Sequence, residues 1–203
     1  MTKETIIKAF RRLSELLDKE DKQAEIYVVG GGAMILAYNA RTITKDIDAI
    51  YSNKEIIYKI SKEIAKEMNL DEHWINDAAK SFIPAKKDEN SIIIIDEKNL
   101  KVMAASEEYM LAMKLLASRI EDKPDIEFLL NKLNIKSATE ALYIIRNLYP
   151  DKLIQPKTQY VLEEIFSQKI EHNQETNIPD RDDAFTKNLK SRREQSKGKG
   201  WDR

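Results

Sequence analysis

Three consecutive glycines, Gly30 to Gly32, interrupt an apolar run near the start of this chain and constrain its fold more than any other stretch. They follow "EIYVV" (25–29), which has the β-branched and aromatic side chains of a short strand. Glycine lets the backbone turn tightly and lets a ligand approach it closely. The next residues, "AMILAYN" (33–39), suit a short buried helix beginning near Ala33, whose free N–H groups favour a phosphate in the turn. We therefore expect a strand, a phosphate-binding glycine turn and a helix.

Two aspartates, Asp46 and Asp48, stand in the stretch "DIDAI" (46–50), where polar and apolar residues alternate as in a strand. Because alternate side chains of a strand point to one face, both carboxylates should project together. Carboxylates held so close repel each other unless a divalent cation lies between them, and hard oxygen ligands favour magnesium or manganese. A phosphate-binding turn beside such a site is typical of phosphoryl or nucleotidyl transfer. The alternative is an ordinary strand, turn and helix with exposed aspartates.

Hydrophobic periodicity predicts an α+β chain whose second half is helical. Besides the segments above, it predicts a strand hairpin over 91–105 with the turn "DEKN". The other predicted helices cover 3–19, 53–68, 73–82, 106–119, 123–133, 137–147 and 157–170. This order predicts an α/β domain at 1–105 and a helical domain packed on it at 106–171.

A charged, flexible tail is predicted at 172–203, where apolar residues become rare. Its segment "KNLKSRREQSKGKG" carries six basic residues against one acidic residue. The tail is therefore either a solvated end or a basic arm that binds a polyanion such as RNA.

Composition excludes several classes of protein. The chain has no cysteine, so it forms neither a disulfide framework nor a thiolate metal site. The N-terminal sequence lacks the apolar core of a signal peptide, and no apolar run approaches the roughly 20 residues that cross a bilayer. A net charge of −1 argues against a wholly basic nucleic-acid binder. We expect a cytoplasmic protein without a membrane partner.

Three motifs in order resemble the DUF6036 nucleotidyltransferase-like family, which is similar to the abortive-infection toxin type of nucleotidyltransferases. They are "GGGAM…ARTITKDIDAIY", "WINDAAKSF" and "ASEEYMLAMKLLASRIEDKPDIEFLL". The resemblance covers about residues 24–166 and leaves out the tail. It implies a minimal nucleotidyltransferase fold, in which a small mixed sheet with flanking helices precedes a helical half.

The resemblance also implies roles for residues around the two aspartates. Gly30 and Gly31 match the glycines beside the nucleotide phosphates, and Asp46 and Asp48 match the metal-binding pair. The nucleotide-binding Arg and Thr of the family correspond to Arg41 and Thr44.

A second group of implied site residues follows in the helical half. Lys114 matches a lysine that faces the triphosphate, and its position within the apolar "YMLAMKLLA" agrees, because a buried lysine needs an anionic partner. The alternative is a lysine that snorkels at the helix edge. Arg119, Asp122 and Asp125 match the family's following Arg and acidic residues, and they are either site residues or a structural ion-pair cluster.

The chain departs from the superfamily pattern at the third carboxylate. Active members of the superfamily add an acid from a later strand, but the corresponding strand "LKVMA" has Met103 where an acid could stand. Asp77 could substitute if its helix packs over the sheet. If no acid reaches the pair, general-base catalysis and two-metal catalysis are weakened.

These inferences lead to a metal-dependent nucleotidyltransferase using magnesium or manganese. It would transfer a nucleoside monophosphate from a nucleoside triphosphate to a hydroxyl of tRNA, another RNA or a protein, as a toxin with an antitoxin partner or as a phage-defence component. The alternatives are a catalytically degenerate nucleotide-binding module and a partner-binding protein that uses its helical half. Trp74 and Tyr109 are either aromatic platforms for a nucleobase or core residues.

Overall fold

The computed structural model describes residues 1–175 and confirms the predicted α+β class. Its α-helices are α1 (Lys3–Lys19), α2 (Gly30–Leu36), α3 (Lys54–Met68), α4 (Glu107–Ala117), α5 (Lys123–Lys132), α6 (Ala138–Leu148) and α7 (Pro156–Glu175). Its strands are β1 (Ala24–Val28), β2 (Ile47–Tyr51), β3 (Ile75–Asn76), β4 (Ile92–Asp96) and β5 (Leu100–Ala104). Short 3-10 helices cover Ala78–Phe82, Ile120–Asp122 and Asp151–Leu153.

The chain divides after Glu163 into two compact units. The first, residues 1–163, contains the whole sheet, and the described part of the second is the end of α7. The domain boundaries predicted at residues 105 and 171 stay predictions. Apart from residues 172–175, the predicted tail lies outside the described residues. Within the described chain, no helix has both the length and the apolar character needed to span a bilayer.

The five strands form one mixed sheet in the order β3-β2-β1-β5-β4. The central strand β1 pairs in parallel with β5 and antiparallel with β2, while β3 extends β2 in parallel and β4 pairs antiparallel with β5. Tyr27 of β1 lies opposite Ile50 of β2 and Met103 of β5. Since alternate residues of a strand share a face, Asp48 projects from the same face as these three side chains.

The core on the other face of the sheet is built mainly by α1 and α3. The apolar stripe of α1 is fully buried, with Phe10 lying 6.0 Å from the ring of Trp74. Trp74 is 1% exposed, and its indole N–H donates to the carbonyl of Ser61 on α3. Burial of each large apolar side chain contributes about 1.5–3 kcal/mol, so this packing fixes the sheet against the two helices. Trp74 is therefore a core residue.

The helix predicted over 73–82 is wrong. Its first part is the short strand β3, because the carbonyl of Trp74 accepts the N–H of Ile47 at 2.7 Å and draws the segment to the free edge of β2. The Asn76 side chain then accepts the N–H of Ala78, which ends the strand and begins the 3-10 helix Ala78–Phe82. The helix expected to begin near Ala33 begins earlier, at Gly30, so that the glycines form its first turn.

The helical half is organised around α4. Every residue of α4 from Tyr109 to Leu115 is buried, because the helix packs against α5, α6 and the 3-10 helix Ala78–Phe82. The helix ends at Ser118, whose φ of +47° is left-handed. This conformation turns the chain sharply, so that Arg119 leaves the direction of the helix axis.

Candidate active site

A cleft of about 740 Å³ lies where the glycine turn, β2, the 3-10 helix Ala78–Phe82 and α4 meet. This volume falls within the range of about 300–1,000 Å³ that small-molecule sites occupy. The lining residues are Gly30, Gly31, Arg41, Ile43, Thr44, Lys45, Asp46, Asp48, Ala79, Phe82, Met110, Met113, Lys114, Ala117, Arg119, Glu121 and Asp122. The cleft therefore combines the Asp46–Asp48 pair and the first two glycines with apolar side chains.

The glycines allow other parts of the chain to approach the turn. Gly30 has a φ of +61°, and a Cβ built on it would stand 3.0 Å from Asp48 Oδ2. A Cβ on Gly31 would stand 2.7 Å from Thr44 Oγ1, which is closer than real contacts allow. The missing side chains thus bring the Asp48 carboxylate and the Thr44 hydroxyl against the start of α2. Sequence reasoning anticipated a ligand in this space and missed these two neighbours.

Asp46 and Asp48 reach the same cleft from the beginning of β2. Burial and the negative charge of Asp46 raise the pKa of Asp48 above its usual value, while the positive charges of Arg119 and Lys114 partly oppose this shift. A raised pKa means that the ionised carboxylate is unfavourable in this setting. A cation bound near the pair would therefore stabilise the ionised form of both carboxylates.

Asn76 is a site residue that sequence reasoning missed. It lies opposite Asp48 in the β2–β3 pairing, and its amide donates to Asp46 Oδ2 at 3.1 Å. Thr44 holds the same segment from the other side, because its hydroxyl donates to the carbonyl of Asp46 at 3.1 Å. The only sequence signal for Asn76 was its place in the motif "WINDAAKSF", next to Asp77.

Lys114 forms a buried ion-pair cluster with Arg41, Asp122 and Asp125. Its ammonium lies 2.5 Å from Asp122 Oδ1 and 2.7 Å from Asp125 Oδ2, and its side chain is only 7% exposed. Arg41 approaches the same acids, with Nη2 2.6 Å from Asp125 Oδ2 and Nε donating to Asp125 Oδ1 at 2.7 Å. The cluster balances two positive charges with two negative charges.

This cluster separates the two interpretations of Lys114. The expected anionic partner exists, but it consists of acids from the chain itself. The snorkelling alternative does not apply, because the Lys114 side chain is buried. Lys114, Arg41 and Asp122 also line the cleft, whereas Asp125 lies behind them. The cluster is thus both a structural ion-pair network and one wall of the candidate site.

Arg119 and Phe82 line the cleft next to each other. The guanidinium of Arg119 lies over the Phe82 ring, with Cζ 5.9 Å from the ring centroid. Phe82 is the last residue of its 3-10 helix, and its carbonyl accepts a hydrogen bond from the Tyr149 hydroxyl. Tyr109, in contrast, is 5% exposed and does not line the cleft.

Asp77 pairs with two lysines and does not line the cleft. Its carboxylate lies 2.7 Å from Lys54 Nζ and 3.4 Å from Lys80 Nζ, and it is not among the cleft-lining residues. Within residues 1–175, no group of three or more acidic or histidine side chains is arranged to hold a metal ion. The structure therefore brings two carboxylates together at this point without Asp77.

One comparison with known proteins gives a match. A family model described as "Nucleotidyltransferase of unknown function (DUF6036)" matches residues 4–154. No curated protein and no solved structure matches the chain. The match includes every residue of the cleft described above.

Proposed function

Because the chain belongs to the DUF6036 family of nucleotidyltransferases of unknown function, we propose that it transfers a nucleoside monophosphate from a nucleoside triphosphate to a hydroxyl group. The observation that carries this proposal is the position of the Asp48 carboxylate, which faces the cleft beside the first turn of α2 and next to Asp46. Such a transfer needs groups that bind a metal ion and groups that bind phosphate, and a carboxylate pair next to a glycine turn provides both.

Asp46 and Asp48 fit a divalent cation as its ligands. Both offer hard oxygen atoms, and the raised pKa of Asp48, caused by burial and by Asp46, supports this assignment because a bound cation would favour the ionised carboxylate. We therefore assign magnesium or manganese to this pair. Such an ion would supply positive charge that stabilises the negative charge of the reacting phosphates. Asn76 orients Asp46 for this role through its amide hydrogen bond.

The triphosphate is bound by the positive side chains of the cleft. Lys114 and Arg41 contribute charge that Asp122 and Asp125 already balance, so their main effect is to hold a rigid wall. Arg119 and Lys45 also line the cleft, and neither forms an ion pair within the described chain. Arg119 and Lys45, together with the backbone N–H groups at Gly30 and Gly31, bind the negatively charged phosphates.

The reaction exchanges a phosphoanhydride linkage of the nucleotide for a phosphoester linkage to the acceptor. The oxygen of the acceptor hydroxyl attacks the α-phosphorus, the bond from this phosphorus to the bridging oxygen breaks, and pyrophosphate leaves. The hydroxyl proton passes to water in the open cleft. The acceptor is an RNA, such as tRNA, or a protein, and modification of either would suit a toxin controlled by an antitoxin or a phage-defence component.

One observation favours a second candidate. Among the described residues only Asp46 and Asp48 meet at this point, without a third acid to act as a general base. A chain that binds the triphosphate but does not transfer the nucleotide would be consistent with this set of residues.

A transfer assay tests both candidates. The purified chain is incubated with each α-labelled nucleoside triphosphate, magnesium or manganese, and total cellular RNA or protein. Label in either acceptor pool, with pyrophosphate release and loss of both in Asp46→Asn and Asp48→Asn, supports the enzyme. Calorimetric binding of the same nucleotides without any transfer supports the second candidate, and absence of binding and transfer overturns both.

A further inference from the structure

We propose that Phe82 and Arg119 form a stacking subsite for the nucleobase of the triphosphate, and that this subsite reads the base by its aromatic face. The inference rests on the proposed function, since it names the part of the cleft that takes the base of the same nucleotide. The observation behind it is the Arg119 guanidinium lying over the Phe82 ring, both side chains being part of the cleft lining.

The cleft is polar in one part and apolar in another. Asp46, Asp48 and the two glycines lie at the beginnings of β2 and α2, whereas five of the six apolar lining residues belong to the 3-10 helix Ala78–Phe82 and to α4. The apolar lining residues are Ile43, Ala79, Phe82, Met110, Met113 and Ala117. A nucleoside triphosphate has a matching division, because its phosphates need positive charge and metal while its base presents flat π faces. Phe82 is the one aromatic side chain among the lining residues in the described chain.

Arg119 connects the two parts of the cleft. Its guanidinium lies over the ring of Phe82, with Cζ 5.9 Å from the ring centroid, and its side chain lines the same cleft as Asp46 and Asp48. A guanidinium plane stacks on aromatic rings and on bases, and such contacts are stronger when water is excluded. Arg119 is thus placed to contact both the base and the charged end of one nucleotide.

The wall that carries Phe82 is fixed by three tyrosine hydroxyls. Tyr149 donates to the carbonyl of Phe82, Tyr109 donates to the carbonyl of Lys86, and Tyr27 donates to Asp88 Oδ2 at 2.6 Å. The segment from Phe82 to Asp88 is therefore tied to α6, α4 and β1. A platform held in this way loses little conformational entropy when a base stacks on it.

The lining also indicates how selective the subsite is. Among the described lining residues there is no Asn, Gln, Ser or His, and the Thr44 hydroxyl already donates to the carbonyl of Asp46. Asn and Gln are the side chains that read adenine edges by paired hydrogen bonds. Because the lining has neither, and because stacking strength grows with ring area, purine nucleotides should bind better than pyrimidine nucleotides.

Calorimetry with two probes tests the subsite. Magnesium-ATP and magnesium-tripolyphosphate are titrated into the wild-type chain and into Phe82→Ala, Phe82→Leu and Phe82→Tyr. Tripolyphosphate has no base, so loss of stacking should weaken ATP binding by roughly 5- to 100-fold and leave tripolyphosphate binding unchanged. Phe82→Tyr keeps the ring and should retain ATP affinity. Phe82→Leu keeps the apolar volume without an aromatic face and covers the case in which Phe82→Ala fails to fold.

A matched control is Tyr143→Ala, since Tyr143 is an aromatic side chain that is 67% exposed on α6 and lies outside the cleft lining. It should leave both affinities unchanged. Equal weakening of ATP and tripolyphosphate by Phe82→Leu, or unchanged ATP affinity, overturns the subsite while the proposed function stands. Wild-type protein that binds neither probe overturns the proposed function and the subsite together. ATP binding that depends on Phe82, without nucleotide transfer, supports the subsite and rejects only the enzyme.

Discussion

The Asp48 carboxylate occupies the space that a side chain on Gly30 would need, since a Cβ on Gly30 would stand 3.0 Å from Asp48 Oδ2. Gly30 also has a φ of +61°, which residues with a side chain rarely adopt. Gly30→Ala should therefore lower the free energy of unfolding by about 1 kcal/mol or more and weaken magnesium-dependent nucleotide binding by displacing Asp48. Urea unfolding and calorimetry measure the two effects.

The control for this prediction is Gly32→Ala. Its Cβ would meet Ile47 Cδ1 at 2.9 Å and Val28 Cγ1 at 3.0 Å, which are core atoms away from the carboxylates. This variant should lose stability and yet bind nucleotide normally when folded. Equal losses of affinity in the two glycine variants would contradict a specific link between Gly30 and Asp48.

The raised pKa of Asp48, caused by burial and by Asp46, predicts a pH-dependent stability. Between the ordinary pKa of about 3.9 and the raised value, the folded state binds more protons than the unfolded state, so stability falls as pH rises through this window. Without metal, Asp48→Asn should be more stable than the wild type at neutral pH, and the difference should disappear as pH falls below the unfolded pKa. Urea unfolding across a pH series measures this.

Magnesium supplies the control for the pH prediction. If Asp48 is a ligand, magnesium should stabilise the wild type at neutral pH and have little effect on Asp48→Asn. If the metal-free wild type were more stable than Asp48→Asn at pH 7, the negative charge of Asp48 would not destabilise the folded state, and the prediction would be wrong.

The ion-pair cluster predicts that replacing a buried carboxylate lowers the stability of the protein much more than replacing an exposed one. Asp125 is 3% exposed and contacts both Lys114 and Arg41. Asp125→Asn should therefore lower the free energy of unfolding by about 3–5 kcal/mol, because it leaves Lys114 and Arg41 with only one negative charge, that of Asp122, in a largely buried cluster. Asp77→Asn breaks an exposed pair with Lys54 and should cost below about 1 kcal/mol. Chemical denaturation of the two variants should give clearly different midpoints, and similar midpoints would show that the cluster is not structural.

Asn76→Asp tests whether the carboxylate pair is a metal site. The change removes the amide that donates to Asp46 and adds a third negative charge opposite Asp48. Without metal, repulsion should lower the melting temperature, and with magnesium the additional ligand should give a larger stabilisation than in the wild type. The measurement is the melting temperature as a function of magnesium concentration. Asn76→Ala, which lacks the added charge, should show no such increase.

Strand periodicity was sufficient to predict that Asp46 and Asp48 would meet, because alternation fixes which side chains share a face. The apolar sequence around Lys114 was likewise sufficient to predict an anion near its ammonium group, since a buried charge needs a partner of opposite sign. The sequence could not identify that anion. Asp122 and Asp125 reach Lys114 only because the left-handed Ser118 turns the chain back after α4, and that turn has no glycine to indicate it.

The least predictable part of the site is the segment after Trp74. Its apolar and polar residues fit a helix, but the unpaired edge of β2 attracts Ile75 and Asn76 as a strand, which local periodicity does not reveal. The helix prediction therefore did not indicate that Asn76 contacts Asp46 or that Phe82 lines the cleft, because both positions depend on the path of this segment. It also made Asp77 a candidate for the third carboxylate, whereas Lys54 and Lys80 hold it outside the cleft.

The parallel pairing of β1 with β5 has a consequence for synthesis at the ribosome. Residues Ala24 to Val28 emerge long before their partners Leu100 to Ala104, so one edge of β1 has no partner strand while the intervening chain is made. Lys114 and Asp122 follow later still. A nascent or prematurely terminated chain ending before β5 would expose an apolar strand edge and lack an assembled cleft, so any nucleotide chemistry belongs only to chains translated well beyond that point.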